Sequence, residues 1–165
     1  MLGICNGFQA LVKLGLVPYG DIRPMDEECP TLTFNTIGRH QSRLVRTRVA
    51  SNLSPWMSRC EVGDVHTVPV SHGEGRFVAS PELVAELAAS GQIAAQYVDA
   101  AGVPSMGLDV NPNGSVLAIE SITSPDGRIL GKMGHSERRG YGLYHNVPGE
   151  RYQQLFEGGV SYFTD

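Results

Sequence analysis

The chain has 165 residues, of which 41% are hydrophobic and 18% charged, and its formal net charge is -4 at pH 7. This length fits one domain with a sizeable core, and the acidic balance provides no basic surface for nucleic acid or an anionic membrane. No apolar stretch approaches the roughly 20 residues that span a bilayer, and three widely spaced cysteines favour neither a disulfide scaffold nor a zinc site. We therefore predict a single cytoplasmic domain over residues 1–165, with no nucleic-acid or membrane partner.

The first residues have the pattern of a short strand, a sharp turn and a helix. The segment 3–7 reads Gly-Ile-Cys-Asn-Gly, which is the layout of a nucleophile elbow with Cys5 at its centre. We expect both flanking glycines to be needed to avoid a clash, and the helix predicted over 6–16 to favour the thiolate of Cys5 through its free N–H groups. Cysteine is also among the residue types most often buried, so from this pattern alone Cys5 could equally be a packing residue.

The rest of the chain alternates between strand patterns, turns and helices. Side-chain alternation predicts strands over 31–37 and 43–49, paired antiparallel with each other, and further strands over 65–70, 76–79, 92–98, 115–122 and 128–133. A capping pattern predicts a helix from Ser80 to Ala89, and a last helix is predicted from about Pro148. We predict an α/β fold of the doubly wound type, with a mixed or parallel sheet flanked by helices and an antiparallel excursion over 31–49.

A cysteine nucleophile needs a base and a third group that orients the base. Among the histidines, His135 stands out because Glu137 follows two residues later, and in an extended segment such positions project to the same side. The carboxylate could then bind one imidazole nitrogen while the other faces the sulfur. The charged segment 132–139 could equally be a solvated loop.

Four motifs, in this order, resemble the class I (triad) glutamine amidotransferase domain of phosphoribosylformylglycinamidine synthase. They begin at Gly3, His72, Asn111 and Gly134, and read Gly-Ile-Cys-Asn-Gly-Phe-Gln, His-Gly-Glu-Gly-Arg-Phe, Asn-Pro-Asn-Gly-Ser and Gly-His-Ser-Glu-Arg. The resemblance extends almost to the C-terminus and is greater to the long single-chain form than to the separate small subunit. Gly134 and Ser136 stand where many relatives have proline, which predicts a less rigid loop around the histidine.

The resemblance implies glutamine hydrolysis through a cysteine thioester, giving glutamate and ammonia. It assigns the nucleophile to Cys5, the general base and then general acid to His135, and the orienting carboxylate to Glu137. It further implies that the backbone N–H of Asn6 stabilises the oxyanion. Substrate contacts are implied for Gln9, His72, Gly73 and Glu74. From the residues alone, Gln9 could equally be a solvated helix residue, and the other three could be a tight turn.

The same resemblance implies a synthetase partner, either a fused domain or a separate subunit. That partner would use ATP and Mg²⁺, so we expect no cofactor in this chain. Only Met1 to Ile4 precede Cys5, fewer residues than a usual strand, and we therefore expect an N-terminally truncated domain that lacks the loop donating a second oxyanion N–H. The alternatives are a catalytically inactive fragment that only binds the synthetase, and another elbow-cysteine hydrolase of similar fold.

One further pattern matches a calcium-binding loop, because Asp109 begins an Asp-x-Asn-x-Asn-Gly run and Glu120 has the spacing of the last ligand. Such a loop requires a helix on each side. Here Pro104 and Gly107 precede the run, and an alternating strand pattern follows it. We interpret the run as a turn leading into a strand and predict no metal site.

Overall fold

The computed structural model describes residues 1–164, the side chain of Phe163 excepted, so Asp165 of the predicted 1–165 domain lies outside the described residues. The strands are β1 (Leu2–Ile4), β2 (Thr31–Thr33), β3 (Gln41–Val49), β4 (Val65–His72), β5 (Arg76–Val78), β6 (Ile93–Val98), β7 (Ile119–Thr123) and β8 (Leu130–Lys132). The helices are α1 (Asn6–Lys13), α2 (Leu16–Tyr19), α3 (Pro81–Ala89) and α4 (Leu155–Thr164). Within residues 1–164, no helix is long and apolar enough to cross a membrane.

Six of the strands form one mixed sheet in the order β1-β8-β7-β6-β3-β4, and β2 pairs with β5 separately. In the larger sheet, β1 and β8 run parallel, whereas the remaining paired strands run antiparallel. The predicted α/β fold with a mixed sheet is therefore confirmed. A doubly wound sheet is built mainly on parallel strands. That finer class stays a prediction, because β1 and β8 are the one parallel pair among the described strands of this sheet.

The predicted pairing of the strands over 31–37 and 43–49 is wrong. Strand β2 pairs with β5, with Leu32 opposite Phe77, whereas β3 pairs with β4. Leu32 and Phe77 are both buried in one cluster with Phe8 of α1, so apolar burial under this helix selects the partner of β2. The strand ends before Asn35, whose backbone N–H donates to the carbonyl of Gly73 instead of to a neighbouring strand.

Other boundaries agree with the prediction in part. Helix α3 begins as predicted, because Ser80 Oγ accepts the N–H of Leu83 at 3.2 Å. The strand predicted over 115–122 begins only at Ile119, since residues 116–118 form a 3-10 turn in which Leu117 has a positive φ of 50°. The last helix begins at Leu155, seven residues later than predicted.

Helices pack on both faces of the six-stranded sheet. Leu130 and Gly131 are neighbours in β8, so their Cβ directions point to opposite faces. The ring of Phe8 from α1 covers Gly131 so closely that a Cβ there would lie 2.1 Å from a ring carbon. On the other face, Leu130 shares a buried cluster with Leu155 of α4. Helix α1 is thus held directly against β8, next to the strand from which it starts.

The sheet curls so far that its two ends approach each other. Strands β1 and β4 stand first and last in the sheet order. Nevertheless, the sulfur of Cys5, directly after β1, lies 3.8 Å from the backbone oxygen of Ser71 in β4. The backbone N–H of His135, shortly after β8, donates to the oxygen of Pro69 at 2.8 Å. Proline has no N–H and is tolerated at an outer strand edge. The curl therefore brings the segments after β1 and β8 to the outer edge of β4.

Candidate active site

Cys5 stands at the turn between β1 and α1 in a backbone conformation that is rare for a residue with a side chain, with φ 53° and ψ -107°. Its N–H donates to the carbonyl of Lys132 at 2.8 Å, and its carbonyl accepts the N–H of Gln9 at 3.1 Å. The strand and the helix therefore fix this turn from both sides. The elbow geometry predicted from the sequence is confirmed.

Only one of the two flanking glycines is required by its surroundings. A Cβ on Gly3 would lie 2.5 Å from Leu11 Cδ1 and 2.8 Å from the carbonyl of Gly7, so strand and helix leave no room for a side chain. A Cβ on Gly7 would meet no atom of the described residues within 4 Å. The expectation that both glycines avoid a clash holds for Gly3 and is wrong for Gly7.

The surroundings of Cys5 favour the thiol over the thiolate. Burial raises the pKa of the Cys5 thiol above its usual range, and the backbone N–H of Asn6 and the charge of Arg138 oppose this only in part. The predicted effect of the helix is present, because the N–H of Asn6 lowers the pKa of Cys5, but desolvation of the sulfur outweighs it and the thiol is favoured overall. Reaction at neutral pH consequently needs a base beside the thiol.

His135 and Glu137 are paired, with 2.5 Å between Nδ1 of the imidazole and Oε1 of the carboxylate. They meet across a turn in which the N–H of Arg138 donates to the carbonyl of His135, and not along the extended segment that we predicted. Because Nδ1 faces the carboxylate, Nε2 is left for other partners. Nε2 is buried and has no hydrogen-bond partner among the described residues. An imidazole oriented in this way can exchange a proton through Nε2.

Strand β4 anchors both the Cys5 sulfur and the loop that carries His135. The sulfur and the imidazole-bearing loop are anchored on Ser71 and Pro69, two residues whose separation along a strand is about 7 Å. The charge of Glu137 also acts on the Cys5 thiol, which it disfavours as an anion. In this structure the sulfur donates to the Ser71 carbonyl rather than to the imidazole.

The predicted substrate-contacting residues Gln9 and Glu74 are joined directly. Gln9 Nε2 donates to the backbone oxygen of Glu74 at 2.7 Å, so α1 and the turn after β4 are linked beside Cys5. Gly73 in this turn has open space where a Cβ would lie. The turn therefore needs no glycine at this position.

His72 has a structural role inside the same turn, which explains its burial at 5% exposure. Its Nδ1 donates to Asn35 Oδ1 at 3.1 Å, and burial lowers the pKa of His72 to about 4. Asn35 also donates to the His72 carbonyl and accepts the N–H of Gly75. Asn35 was not predicted as a site residue, because it fell within the strand predicted over 31–37.

Two buried charges below the histidine loop were also missed. Lys132 Nζ lies 3.4 Å from Glu120 Oε1, and the two side chains are 1% and 0% exposed. Lys132 ends an otherwise apolar strand and is followed directly by Met133, and Glu120 lies between Ile119 and Ile122 in a strand that is buried along its whole length. Charged residues in apolar strands are rarely buried unless they are paired. This signal in the sequence was available and could have identified the pair.

The calcium-loop pattern forms a hydrogen-bonded turn. Asn111 Oδ1 accepts the N–H of Ser115 at 3.1 Å, and Asn113 Nδ2 donates to the carbonyl of Gly75 at 2.7 Å. Glu120, which has the spacing of the last ligand, is paired with Lys132. Residues 1–164 contain no cluster of three or more metal-ligating His, Cys, Asp or Glu side chains. The interpretation of the pattern as a turn is confirmed.

A cavity of about 810 Å³ borders His135 and Glu137. Its lining continues along residues 138–145 and 150–152, and neither Cys5 nor Gln9 belongs to it. The cavity therefore lies outside the part of the site that contains the sulfur.

The fold and this site define a class of α/β domain with an elbow cysteine and a histidine–glutamate pair held against the same strand. A model of the CobB/CobQ-like glutamine amidotransferase domain matches residues 1–163. The chain therefore belongs to this family of glutamine amidotransferase domains.

Two relatives bear the name phosphoribosylformylglycinamidine synthase subunit PurQ. The protein of Chlorobaculum tepidum is 38% identical over 157 residues, covering 94% of this chain and 62% of the relative. The protein of Thermomicrobium roseum is 36% identical over 138 residues, covering 84% of this chain and 53% of the relative. The structure called "Structure of PurLQS from Thermotoga maritima" matches with a TM-score of 0.69 and 26% identity, covering 98% of this chain and 61% of that one.

The chain thus spans a little over half to about three-fifths of the length of these relatives. The two curated relatives are named as subunits. They do not support the predicted greater likeness to the long single-chain form.

Proposed function

We propose that this chain is the glutaminase part of a phosphoribosylformylglycinamidine synthase, acting in de novo purine biosynthesis. It would hydrolyse glutamine to glutamate and ammonia. Membership of the glutamine amidotransferase family and the names of the relatives support the proposal. The observation that carries it is the His135–Glu137 pair, with its 2.5 Å contact, beside a strained cysteine on the same strand edge.

The first half of the reaction forms a thioester. His135 Nε2 takes the proton of the Cys5 thiol, while Glu137 stabilises the resulting imidazolium through Nδ1. The thiolate attacks the side-chain amide carbon of glutamine, and the backbone N–H of Asn6 binds the oxyanion, a contribution of about 3 kcal/mol for such a donor. The imidazolium then gives its proton to the departing nitrogen, the carbon–nitrogen bond breaks, and ammonia leaves.

The second half releases glutamate. The neutral His135 imidazole takes a proton from water, and the hydroxide attacks the thioester carbon. The carbon–sulfur bond breaks, and the imidazolium returns its proton to the Cys5 sulfur. We propose that Gln9 and the turn formed by His72, Gly73 and Glu74 hold the amino-acid end of glutamine.

The proposed partner is the synthetase domain or subunit, which would consume the ammonia. ATP and Mg²⁺ would act there to activate the acceptor. The steps above need no cofactor, because the nucleophile, the base and the oxyanion donor all belong to the polypeptide.

Alkylation by a glutamine analogue tests the proposal directly. We expect an analogue carrying a diazoketone in place of the amide to label one thiol, located at Cys5 by peptide mass spectrometry. Cys5→Ala should abolish both labelling and glutamate release, whereas Cys29→Ala should change neither. Labelling that spares Cys5 would favour another elbow-cysteine hydrolase. Synthetase binding that is unchanged by Cys5→Ala, with no ammonia from the wild-type chain, would favour an inactive interaction fragment.

A further inference from the structure

Lys132 and Glu120 form an ion pair that the reaction steps above do not use. Their side chains are almost fully buried, and their charged atoms lie 3.4 Å apart. Burying two opposite charges is costly unless further hydrogen bonds satisfy them. The other hydrogen-bond partners of Lys132 and Glu120 therefore indicate the structural role of the ion pair.

Most of those partners belong to the loop that carries His135. Glu120 Oε1 accepts the N–H of Gly134 at 2.6 Å, and Lys132 Nζ donates to the carbonyl of Gly134 at 3.0 Å. Lys132 Nζ also donates to Ser136 Oγ at 2.7 Å. The pair thus binds the residue before the histidine at both backbone groups and the residue after it at the side chain.

Two further observations show how closely the loop that carries His135 is held. Ser136 Oγ donates to Gln153 Oε1 at 2.7 Å, which ties the loop to the segment before α4. A Cβ on Gly134 would lie 2.7 Å from Val68 Cγ2 and 2.8 Å from Glu120 Oε1, so only glycine lets the backbone approach the ion pair. The polar contacts around Gly134 and Ser136 therefore restrain a loop that we predicted to be less rigid.

We propose that Lys132 and Glu120 are positioning residues for the His135 imidazole. By fixing the backbone on both sides of His135, the ion pair keeps Nδ1 on Glu137 and leaves Nε2 directed away from the carboxylate. The consequence for catalysis rests on the proposed glutaminase function. The effect on the orientation of the ring does not depend on that function.

The test removes both charges together in Lys132→Met/Glu120→Gln, because removing one would leave the other buried alone. In the wild-type chain, isotope-labelled histidine should show one set of His135 ring-nitrogen signals with the proton on Nδ1. The double variant should show broadened or averaged signals, and its kcat for glutamine should fall about 10- to 100-fold with KM nearly unchanged. Lys13→Met, which replaces the other lysine of the chain at an exposed position, is the matched control and should change neither.

Wild-type ring signals and wild-type kcat in the double variant would overturn the inference. If the double variant does not fold, Ser136→Ala decides by the same two measurements, with a smaller expected change, since it keeps the ion pair and removes one of its three hydrogen bonds to the loop. If the wild-type chain hydrolyses no glutamine, the proposed function fails. The His135 signals still decide the positioning role in that case.

Discussion

Gln9 Nε2 lies 2.7 Å from the backbone oxygen of Glu74, so the first helix, which starts directly after Cys5, and the turn after β4 are bonded to each other. Both residues are proposed to touch the amino-acid end of glutamine. A substrate that binds here must therefore replace this internal hydrogen bond with hydrogen bonds from its own polar groups. Gln9 would then contribute to substrate affinity and much less to the chemical step.

Gln9→Ala should raise KM for glutamine about 10-fold, in line with the loss of one or two hydrogen bonds, and leave kcat within a few-fold. Steady-state kinetics of glutamate release measures both constants. Gln96→Ala is the matched control, because the side-chain amide of Gln96 also donates to a backbone oxygen, that of Leu117, at 2.8 Å. Equal effects of the two variants would contradict a substrate-binding role for Gln9.

The reactivity of Cys5 should depend on pH in a way that reflects its buried thiol. Because burial raises the pKa of Cys5, the thiolate fraction at neutral pH should be lower than in the unfolded chain. Alkylation of Cys5 by iodoacetamide should therefore reach its half-maximal rate at a higher pH in the native protein than in urea. Peptide mass spectrometry after timed quenching gives the rate at each pH. A native midpoint below the unfolded one would show that the helix N-terminus outweighs burial.

His72 should make the folded state sensitive to mild acid. Its pKa is about 4 in the folded protein against an ordinary 6.5, so between these values the unfolded chain binds a proton that the native chain does not. The free energy of unfolding should be unaffected by His72 above pH 6.5 and fall by about 1.4 kcal/mol per pH unit down to about pH 4. Urea unfolding of the wild type and of His72→Gln measures this, and the variant should show the shallower pH dependence. Identical slopes would contradict the assignment.

The turn after β4 offers a matched pair of glycines. A Cβ on Gly75 would lie 2.5 Å from the His72 ring, which Asn35 holds in place, whereas a Cβ on Gly73 meets open space. Gly75→Ala should therefore lower the free energy of unfolding by about 1 to 3 kcal/mol, and Gly73→Ala should change it little. Thermal and urea unfolding compare the two. Equal stability of both variants would show that the His72 ring can move away.

Local sequence patterns predicted the helices, strands and turns better than they predicted which strands pair with each other. The elbow and the Ser80 cap depend on a few adjacent residues, and both are confirmed. The pairing of β2 was wrong, because its partner is selected by packing of Leu32 with Phe77, a residue 45 positions away. Alternation along a strand indicates which side chains are buried, but it does not indicate which strand lies beside them.

The residues of the site likewise divide into those that the sequence predicted and those that it did not. Cys5, His135 and Glu137 were predicted as site residues from their side-chain chemistry together with the family resemblance, and their catalytic roles stay a prediction. Ser71 and Asn35 could not be found in this way. Ser71 acts through its backbone oxygen, and Asn35 acts by holding a turn. Such roles depend on the curled sheet and have no residue-type signature of their own.

The curvature of the six-stranded sheet affects how the protein loses activity under stress. The sulfur and the imidazole follow two adjacent strands, β1 and β8, at one margin of the sheet. The backbone oxygens of Ser71 and Pro69 that anchor them belong to β4 at the other margin, and they reach the site only while the sheet stays bent. A small flattening would withdraw β4 from both groups with every strand still paired. Loss of function under stress should therefore come before any loss of secondary structure, so turnover would be an earlier indicator of damage than circular dichroism.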